Sequence, residues 1–241
     1  MERNIAILNE WIQDSNNIVF FGGAGTSTEC GIPDFRSADG LYSKKKYGYE
    51  PEVIISHDFF IHNPEIFYKY YKDAFIYENA VPNEMYFRLA DLENKGKLKA
   101  IITQNVDGLH KMAGSKTVFE LHGSIYENHC LNCGKEYPLK TIISCKGIPH
   151  CDECGGVIKP DVVLYGESLD YPTIEGAVNA ISSCEVLIVG GTSLNVYPAA
   201  GLINYYQGNK LVLINKSTTP YDNSADLIIN LPINEVFKQI K

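Results

Sequence analysis

No stretch of this chain approaches the ~20 consecutive apolar residues that span a bilayer. The opening MERNIAILNEWIQDS mixes charged and polar residues where a leader would be apolar. A membrane partner and export are therefore not expected, and a cytoplasmic location is. Positive charge is also short: 21 Lys and Arg against 29 Asp and Glu leave a formal net charge of −8. That balance argues against general nucleic-acid binding, although an acidic surface attracts lysine-rich protein segments. The glycine-rich turn GGAGTSTECGIPDFR lacks the third glycine of a GxGxxG fingerprint, because Thr28 stands there, and no acid-terminated second strand follows about 20 residues on. A plain Rossmann dehydrogenase is disfavoured. No GK[ST] follows the turn either, so a Walker phosphate loop fails as well. Disorder is excluded by the 45% hydrophobic content of the 241 residues, enough for one large domain and a smaller one.

What the chain does have begins with seven cysteines. Four fall in two CxxC units, Cys130 with Cys133 and Cys151 with Cys154, separated by 17 residues. Each CxxC closes a tight knuckle that delivers two thiolates to one ion, so the pair predicts a structural zinc ribbon, closed to substrate. An odd total with four paired thiols fits a reducing compartment. Cys145 lies inside the ribbon loop and is read as a bystander. Cys184, ahead of EVLIVGG, reads as a small buried hydrophobe, and Cys30 sits in the glycine-rich turn with its reactivity open.

The runs NNIVFFGG, KLKAIITQN, TVFELHG, EVLIVGGTS, KLVLINK and DLIINL read as buried parallel strands. Helix-compatible segments lie at 2–14, 64–78, 82–95, 172–182, 198–207 and 233–240. The alternation predicts an α/β fold with a doubly wound parallel sheet. The unusual residues gather at strand ends: Gly23, Ala24 and Gly25; Gln104, Asn105, Val106 and Asp107; His122; Gly191, Thr192 and Ser193; and Asn215. In an open parallel sheet the carboxyl ends line one crevice, where ligands bind. Small residues at the first of these turns would let main-chain N–H groups approach a pyrophosphate.

Taken in order, GAGTSTECGIPDFRSADGLY, TQNVDGLH, LHGS, the paired CxxC, KPDVVLYGE and GTSLNVYPAA resemble the sirtuins, NAD⁺-dependent protein deacylases, from about Ile18 to Asn215. The resemblance implies a Rossmann-like NAD-binding domain of residues 1–38, 77–123 and 164–241. A small domain would hold the helical insertion, 39–76, and the zinc ribbon, 124–163. It implies a reaction in which the acyl oxygen of a modified lysine attacks C1′ of the nicotinamide ribose and the products are lysine, nicotinamide and acyl-ADP-ribose. His122 is then the general base, suited by an imidazole pKa near ~6.5. Asn105 is a catalytic orienter whose amide offers donors and an acceptor at one place. Asp107 either accepts from the nicotinamide carboxamide or caps a helix, roles that are compatible. In Pro33-Asp34-Phe35-Arg36, the resemblance sets Phe35 over the reacting face and Arg36 near ribose and phosphate; the plainer reading is an aromatic core anchor beside a surface cation. Ala24, Thr28, Gln104, Ser193 and Asn215 match positions near cofactor phosphates or adenosine. Val162, Val163, Leu164, Tyr165, Gly166 and Glu167 on one side, and Asn195, Val196 and Tyr197 after Ser193 on the other, resemble two backbone edges that clamp a peptide as an added strand.

Departures from the family pattern include Gly22, Thr26 where an aliphatic residue is common, and Tyr165. Relatives that take succinyl or malonyl groups carry a Tyr and an Arg three residues apart; here the helix reads Phe67-Tyr68-Lys69-Tyr70-Tyr71-Lys72. Without a bidentate guanidinium a buried dicarboxylate loses its best partner, so acetyl is favoured, with Lys69 or Lys72 left as partial substitutes. The other histidines, 57, 62, 110, 129 and 150, read as structural. The expectation is a monomeric protein deacetylase acting on acetyl-lysine proteins or peptides. The alternatives are a mono-ADP-ribosyltransferase, a deacylase for longer uncharged acyl groups, and a noncatalytic module.

Overall fold

The computed structural model describes residues 2–35, 37 and 40–240. All six runs read as strands form one parallel sheet: β1 (Ile18–Gly22), β2 (Leu98–Thr103), β3 (Val118–Glu120), and beyond a second sheet β7 (Val186–Gly190), β8 (Leu211–Ile214) and β9 (Leu227–Ile229). Their order is β3-β2-β1-β7-β8-β9, every neighbouring pair parallel. The order reverses between β1 and β7, which is the switch point where open α/β sheets bind ligands. In register, Gly22 pairs with Gly190, so both strands stop at one level and their loops start side by side.

Both faces of the sheet are covered, which is why its strands read as unbroken apolar runs rather than as alternation. Ile18 and Phe20 of β1 pack into one core with Ile5, Leu8 and Ile12 of α1 (Glu2–Asp14), Met85 and Leu89 of α5 (Glu84–Asn94) and Phe237 of α9 (Ile233–Phe237). Val19 and Phe21 point the other way, toward Ala177 and Ile181 of α8 (Tyr171–Ser183). Asp170 starts α8 by accepting from Thr173 N–H at 2.9 Å. The segment predicted as a helix at 198–207 winds more tightly, as a 3-10 helix over Ala199–Tyr205.

The second sheet is antiparallel, with order β5-β4-β6: β4 (Gly123–Cys130), β5 (Glu136–Pro138) and β6 (Ile158–Val162). It packs with α4 (Pro64–Phe75) into a third core, rich in aromatics, where Phe67, Tyr68, Tyr70 and Tyr71 are buried. Residues 51–62 supply two short helices that no apolar period announced, α2 (Pro51–Ile54) and α3 (His57–His62). Ser56 caps α3 by accepting from Phe59 N–H. The remaining short helices are α6 (Leu109–Met112), after β2, and α7 (Leu139–Ser144), after β5. No helix among the described residues is long and apolar enough to cross a membrane.

Candidate functional site

The five strand-end turns meet along one edge of the parallel sheet, and hydrogen bonds join them. Gly25 N–H donates to Gly191 O at 2.7 Å, tying the turn after β1 to the turn after β7. This approach requires glycine on both sides: a Cβ on Gly25 would lie 2.8 Å from Gly191 O, and one on Gly191 would lie 2.6 Å from Thr26 N. The chain leaves β1 through a short 3-10 helix, Ala24–Thr26. Thr28 closes the next turn by donating its hydroxyl to Gly25 O at 3.2 Å.

A second chain of bonds crosses the strand ends sideways. His122 Nδ1 lies 2.9 Å from Gln104 O, an acceptor only, so Nδ1 carries the proton. Gln104 Oε1 accepts from the Thr192 hydroxyl at 2.9 Å, and Thr192 N–H donates to Asn215 Oδ1 at 3.0 Å. The loops after β3, β2, β7 and β8 are thereby linked residue to residue. Two amide donors in this row of bonds, Gln104 Nε2 and Asn215 Nδ2, are buried and meet no partner among the described residues. Both donors are open to a water or a polar ligand at this edge of the sheet.

Burial lowers the His122 pKa, against which its bond to Gln104 O acts upward. The ring is therefore neutral near pH 7, protonated on Nδ1, with the Nε2 lone pair available as a base. The position is held by Gly123, whose φ of +76° and close contact with Asp161 O exclude any side chain. Asn105 is buried, its N–H bonded to the Thr103 hydroxyl at 3.0 Å and its Nδ2 to Thr26 Oγ1 at 3.0 Å and Ser27 Oγ at 3.3 Å. Asp107 is not the N-cap of α6, which is Gly108; it stands one residue before it and accepts from Leu109 N–H at 3.0 Å. Burial raises its pKa, and bonds from Leu109, Ser27 and Asn105 pull it back. Val106 O accepts from Ile125 N–H, and its side chain packs on the aromatic core.

Asp34 Oδ1 accepts from Ser37 N–H at 2.8 Å and its carbonyl from Leu41 N–H at 2.8 Å. Phe35 rests against the same aromatic core, 5.3 Å from the Tyr42 ring and 6.0 Å from the Phe75 ring. Arg36 lies outside the described residues. Ser193 is exposed.

The segment after β6 is already a strand partner within the chain. Val163 N–H donates to His122 O, Tyr165 N–H to Ile55 O, and His57 N–H to Tyr165 O, each at 2.9–3.0 Å. Glu167 folds back under it: Oε2 accepts from Leu164 N–H at 2.9 Å and from the buried Lys159 ammonium at 3.1 Å, while Oε1 meets His57 Nδ1 at 2.9 Å. On the opposite side Asn195 and Tyr197 are exposed, and Val196 O accepts from Ala200 N–H. The Lys159 and His57 anchors were not apparent in sequence, since neither lies within the chain-local spacing that would pair them with Glu167.

The four ribbon cysteines converge. Cys130 Sγ and Cys154 Sγ are 3.4 Å apart, Cys133 Sγ and Cys151 Sγ 3.6 Å, and all four sulfurs lie within 4.8 Å of one another. A tetrahedron of Zn–S bonds of about 2.3 Å has edges near 3.8 Å, so the cluster fits Zn²⁺. Gly134 N–H to Cys130 O and Gly155 N–H to Cys151 O, both 2.9 Å, close the two knuckles. Cys145 stands apart and offers its carbonyl to the Lys72 ammonium. Burial pushes the Cys184 thiol up to about 12 and raises Cys30, which disfavours a reactive thiolate at either. The remaining histidines have structural surroundings: His129 pairs with Asp161, His150 with Gly155 O, His62 with Asp58 O, and His110 is buried between the rings of Phe20 and Tyr86.

The sequence profile described as the Sir2 family matches residues 23–198. An NAD-dependent protein deacetylase of Clostridium perfringens is 57% identical over all of this chain and 99% of its own length. One of Staphylococcus aureus is 43% identical over the same shares. A solved structure described as Sir2 with a p53 peptide and NAD⁺ superposes with a TM-score of 0.86 at 38% identity, covering 98% of this chain and 96% of the other. Another, Sir2 bound to an acetylated peptide, gives 0.86 at 37% over the same shares. With its strand order, its joined strand-end loops and its four-cysteine ribbon in place, this chain belongs to the Sir2 family.

Proposed function

We propose that this chain is an NAD⁺-dependent protein-lysine deacetylase that releases nicotinamide and passes the acetyl group to ADP-ribose. The observation that carries the reading is the bonded row His122–Gln104–Thr192–Asn215, with two open amide donors, along the edge of the sheet at its switch point. NAD⁺, when bound, supplies the ribose carbon that receives the acyl oxygen. Gly23, Ala24, Gly25, Thr28, Asp34, Phe35, Gln104 and Val106 would hold it from one side, and Arg36, outside the described residues, is a further candidate by its position in the sequence. Gly191, Thr192, Ser193 and Asn215 would hold it from the other. The open donors Gln104 Nε2 and Asn215 Nδ2 suit its oxygen-rich surface.

Each side chain has a task its geometry permits. His122, neutral and with its proton on Nδ1, accepts a ribose hydroxyl proton at Nε2. Asn105 orients that hydroxyl. Asp107, which accepts from Leu109 N–H at the start of α6, would accept from the nicotinamide carboxamide. The residues 162–167 and 195–197 flank the acetyl-lysine peptide, reading main chain more than side chain, which predicts loose sequence preference. Zn²⁺ on Cys130, Cys133, Cys151 and Cys154 would hold the ribbon and do no chemistry. The domain limits given above, a monomer and a cytoplasmic location are part of this proposal.

The helix over Pro64–Phe75 supports acetyl over dicarboxylates. Lys72 is spent on Cys145 O at 2.5 Å, Lys69 lies over the Tyr47 ring at 4.5 Å, and the Tyr68 hydroxyl donates to Ile158 O. No guanidinium stands on it. Product masses from acetyl, succinyl and longer-chain lysine peptides test the assignment. Acetyl-ADP-ribose as the fastest product supports it, and faster turnover of the succinyl peptide overturns it. ADP-ribose appearing on protein without deacylation would install the transferase instead.

A further inference from the structure

The buried hydroxyl of Thr26 accepts one hydrogen bond from Tyr86 and one from Asn105 while donating its own proton to Gly23 O, and we propose that this relay fixes which end of the Asn105 amide faces the substrate. The inference rests on Asn105 acting in the reaction as proposed above. It adds Thr26 and Tyr86 as positioning residues, neither of which touches the reacting atoms.

Proton counting carries the argument. A threonine hydroxyl has one hydrogen and two lone pairs. Thr26 Oγ1 is 2.8 Å from Gly23 O, which can only accept, so the hydrogen goes there. Toward its other neighbours the oxygen can then only accept. Tyr86 OH, at 3.1 Å, is one, and Asn105 Nδ2, at 3.0 Å, is the other. Tyr86 is fully buried on α5, and its ring lies 4.6 Å from that of His110, so its hydroxyl is held at Thr26. The Asn105 NH₂ group is also drawn to Ser27 Oγ at 3.3 Å and to the Asp107 carboxylate. Its donors are thereby consumed. The carbonyl oxygen Oδ1 is the atom the relay leaves over, so Asn105 meets its ligand as a hydrogen-bond acceptor, suited to a ribose hydroxyl or a water. An aliphatic side chain at position 26 could not accept from the amide, although its main-chain N–H would still hold Gly23 O.

The test compares T26V, T26S, Y86F and the double variant Y86F/T26V with wild type and N105A, measuring kcat, KM for NAD⁺, KM for an acetyl-lysine peptide, and the melting temperature. T26V frees the amide to rotate, and we expect kcat to fall about 10- to 100-fold, the scale of a misplaced catalytic group, with both KM values nearly unchanged. T26S keeps the oxygen and should restore kcat. Y86F/T26V removes both hydroxyls together, leaving no orphaned phenol, and should recover the melting temperature lost in T26V while kcat stays low. A double variant that regains kcat along with stability overturns the relay, as does a rise in KM for NAD⁺ without loss of kcat, which would assign Thr26 to loop shape alone. Wild-type kcat in T26V beside an inactive N105A overturns the relay only; wild-type kcat in N105A removes the role of Asn105 itself.

Discussion

His122 Nδ1 and the main-chain oxygen of Gln104 stand 2.9 Å apart, so the imidazole at the end of one strand is held by the loop at the end of its neighbour. Strands β2 and β3 run in parallel register, Thr103 opposite Glu120, which brings the residues just after each strand level. The sheet register therefore sets the tautomer of the ring. A neutral ring with Nδ1 occupied presents Nε2 as the base, and burial keeps it neutral by lowering its pKa.

From this the acid limb of kcat/KM should lie below the ordinary histidine value of about 6.5. The neutral form is the active one, so rate falls as pH drops through the lowered pKa. A limb at or above that ordinary value would contradict the assignment. H122A should lose activity by about 10²- to 10⁴-fold, the usual worth of a general base. Its NAD⁺ affinity, read by titration calorimetry, should stay near that of wild type; lost binding would make the role structural.

Removing zinc should unfold the ribbon and loosen the aromatic core it shares with α4, because Cys130 and Cys151 are buried in that core. Chelation followed by circular dichroism and activity assay checks this. Structural zinc contributes folding free energy directly, so full activity after verified metal removal would contradict the account.

Lys159 and Glu167 form a largely buried pair that holds the main chain of residues 162–167. Burial alone would raise the Glu167 pKa, but bonds from Leu164 N–H, His57 and Lys159 bring it below the ordinary value. K159M leaves the part-buried carboxylate with Leu164 N–H and His57 alone, so the loss should fall below the about 3–5 kcal/mol of fully buried pairs. A lower melting temperature and a raised KM for peptide are expected, with KM for NAD⁺ little changed. Equal rises in both would contradict the proposed peptide-binding role of residues 162–167.

His110 gives the fold an acid sensitivity separate from catalysis. Fully buried, without a polar partner at either ring nitrogen among the described residues, it has its pKa lowered to about 3 by burial. The unfolded chain takes up a proton at about 6.5 while the folded chain does not. Stability is therefore fully present above that pH and declines as pH falls toward the folded value, by up to about 1.4 kcal/mol per pH unit. Urea titrations of H110F at falling pH should show a shallower decline than wild type; an unchanged slope would contradict this.

The six parallel strands were legible because burial on both faces makes each an apolar run ending in glycine or polar residues, and the helices 2–14 and 82–95 because α1 and α5 keep an apolar stripe. The cysteine ribbon was legible from spacing. Residues 51–62 were not, since α2 and α3 are too short to show a period and depend on the Ser56 cap and the bridge from Tyr165. The candidate site residues were visible as a class, polar groups after strands, but their bonding was not: the contact of Gln104 with Thr192 joins positions 88 residues apart. Thr26 could be noticed as a polar residue where an aliphatic one is common. Its partner Tyr86, 60 positions away in a helix, looked like any core aromatic.

The most direct test of the account is the stoichiometry of nicotinamide released to lysine freed, measured with NAD⁺ and an acetyl-lysine peptide. One nicotinamide per lysine, with no release from the unmodified peptide, is the predicted result. Nicotinamide release that proceeds equally without the acetyl group, or lysine freed without NAD⁺, would contradict it.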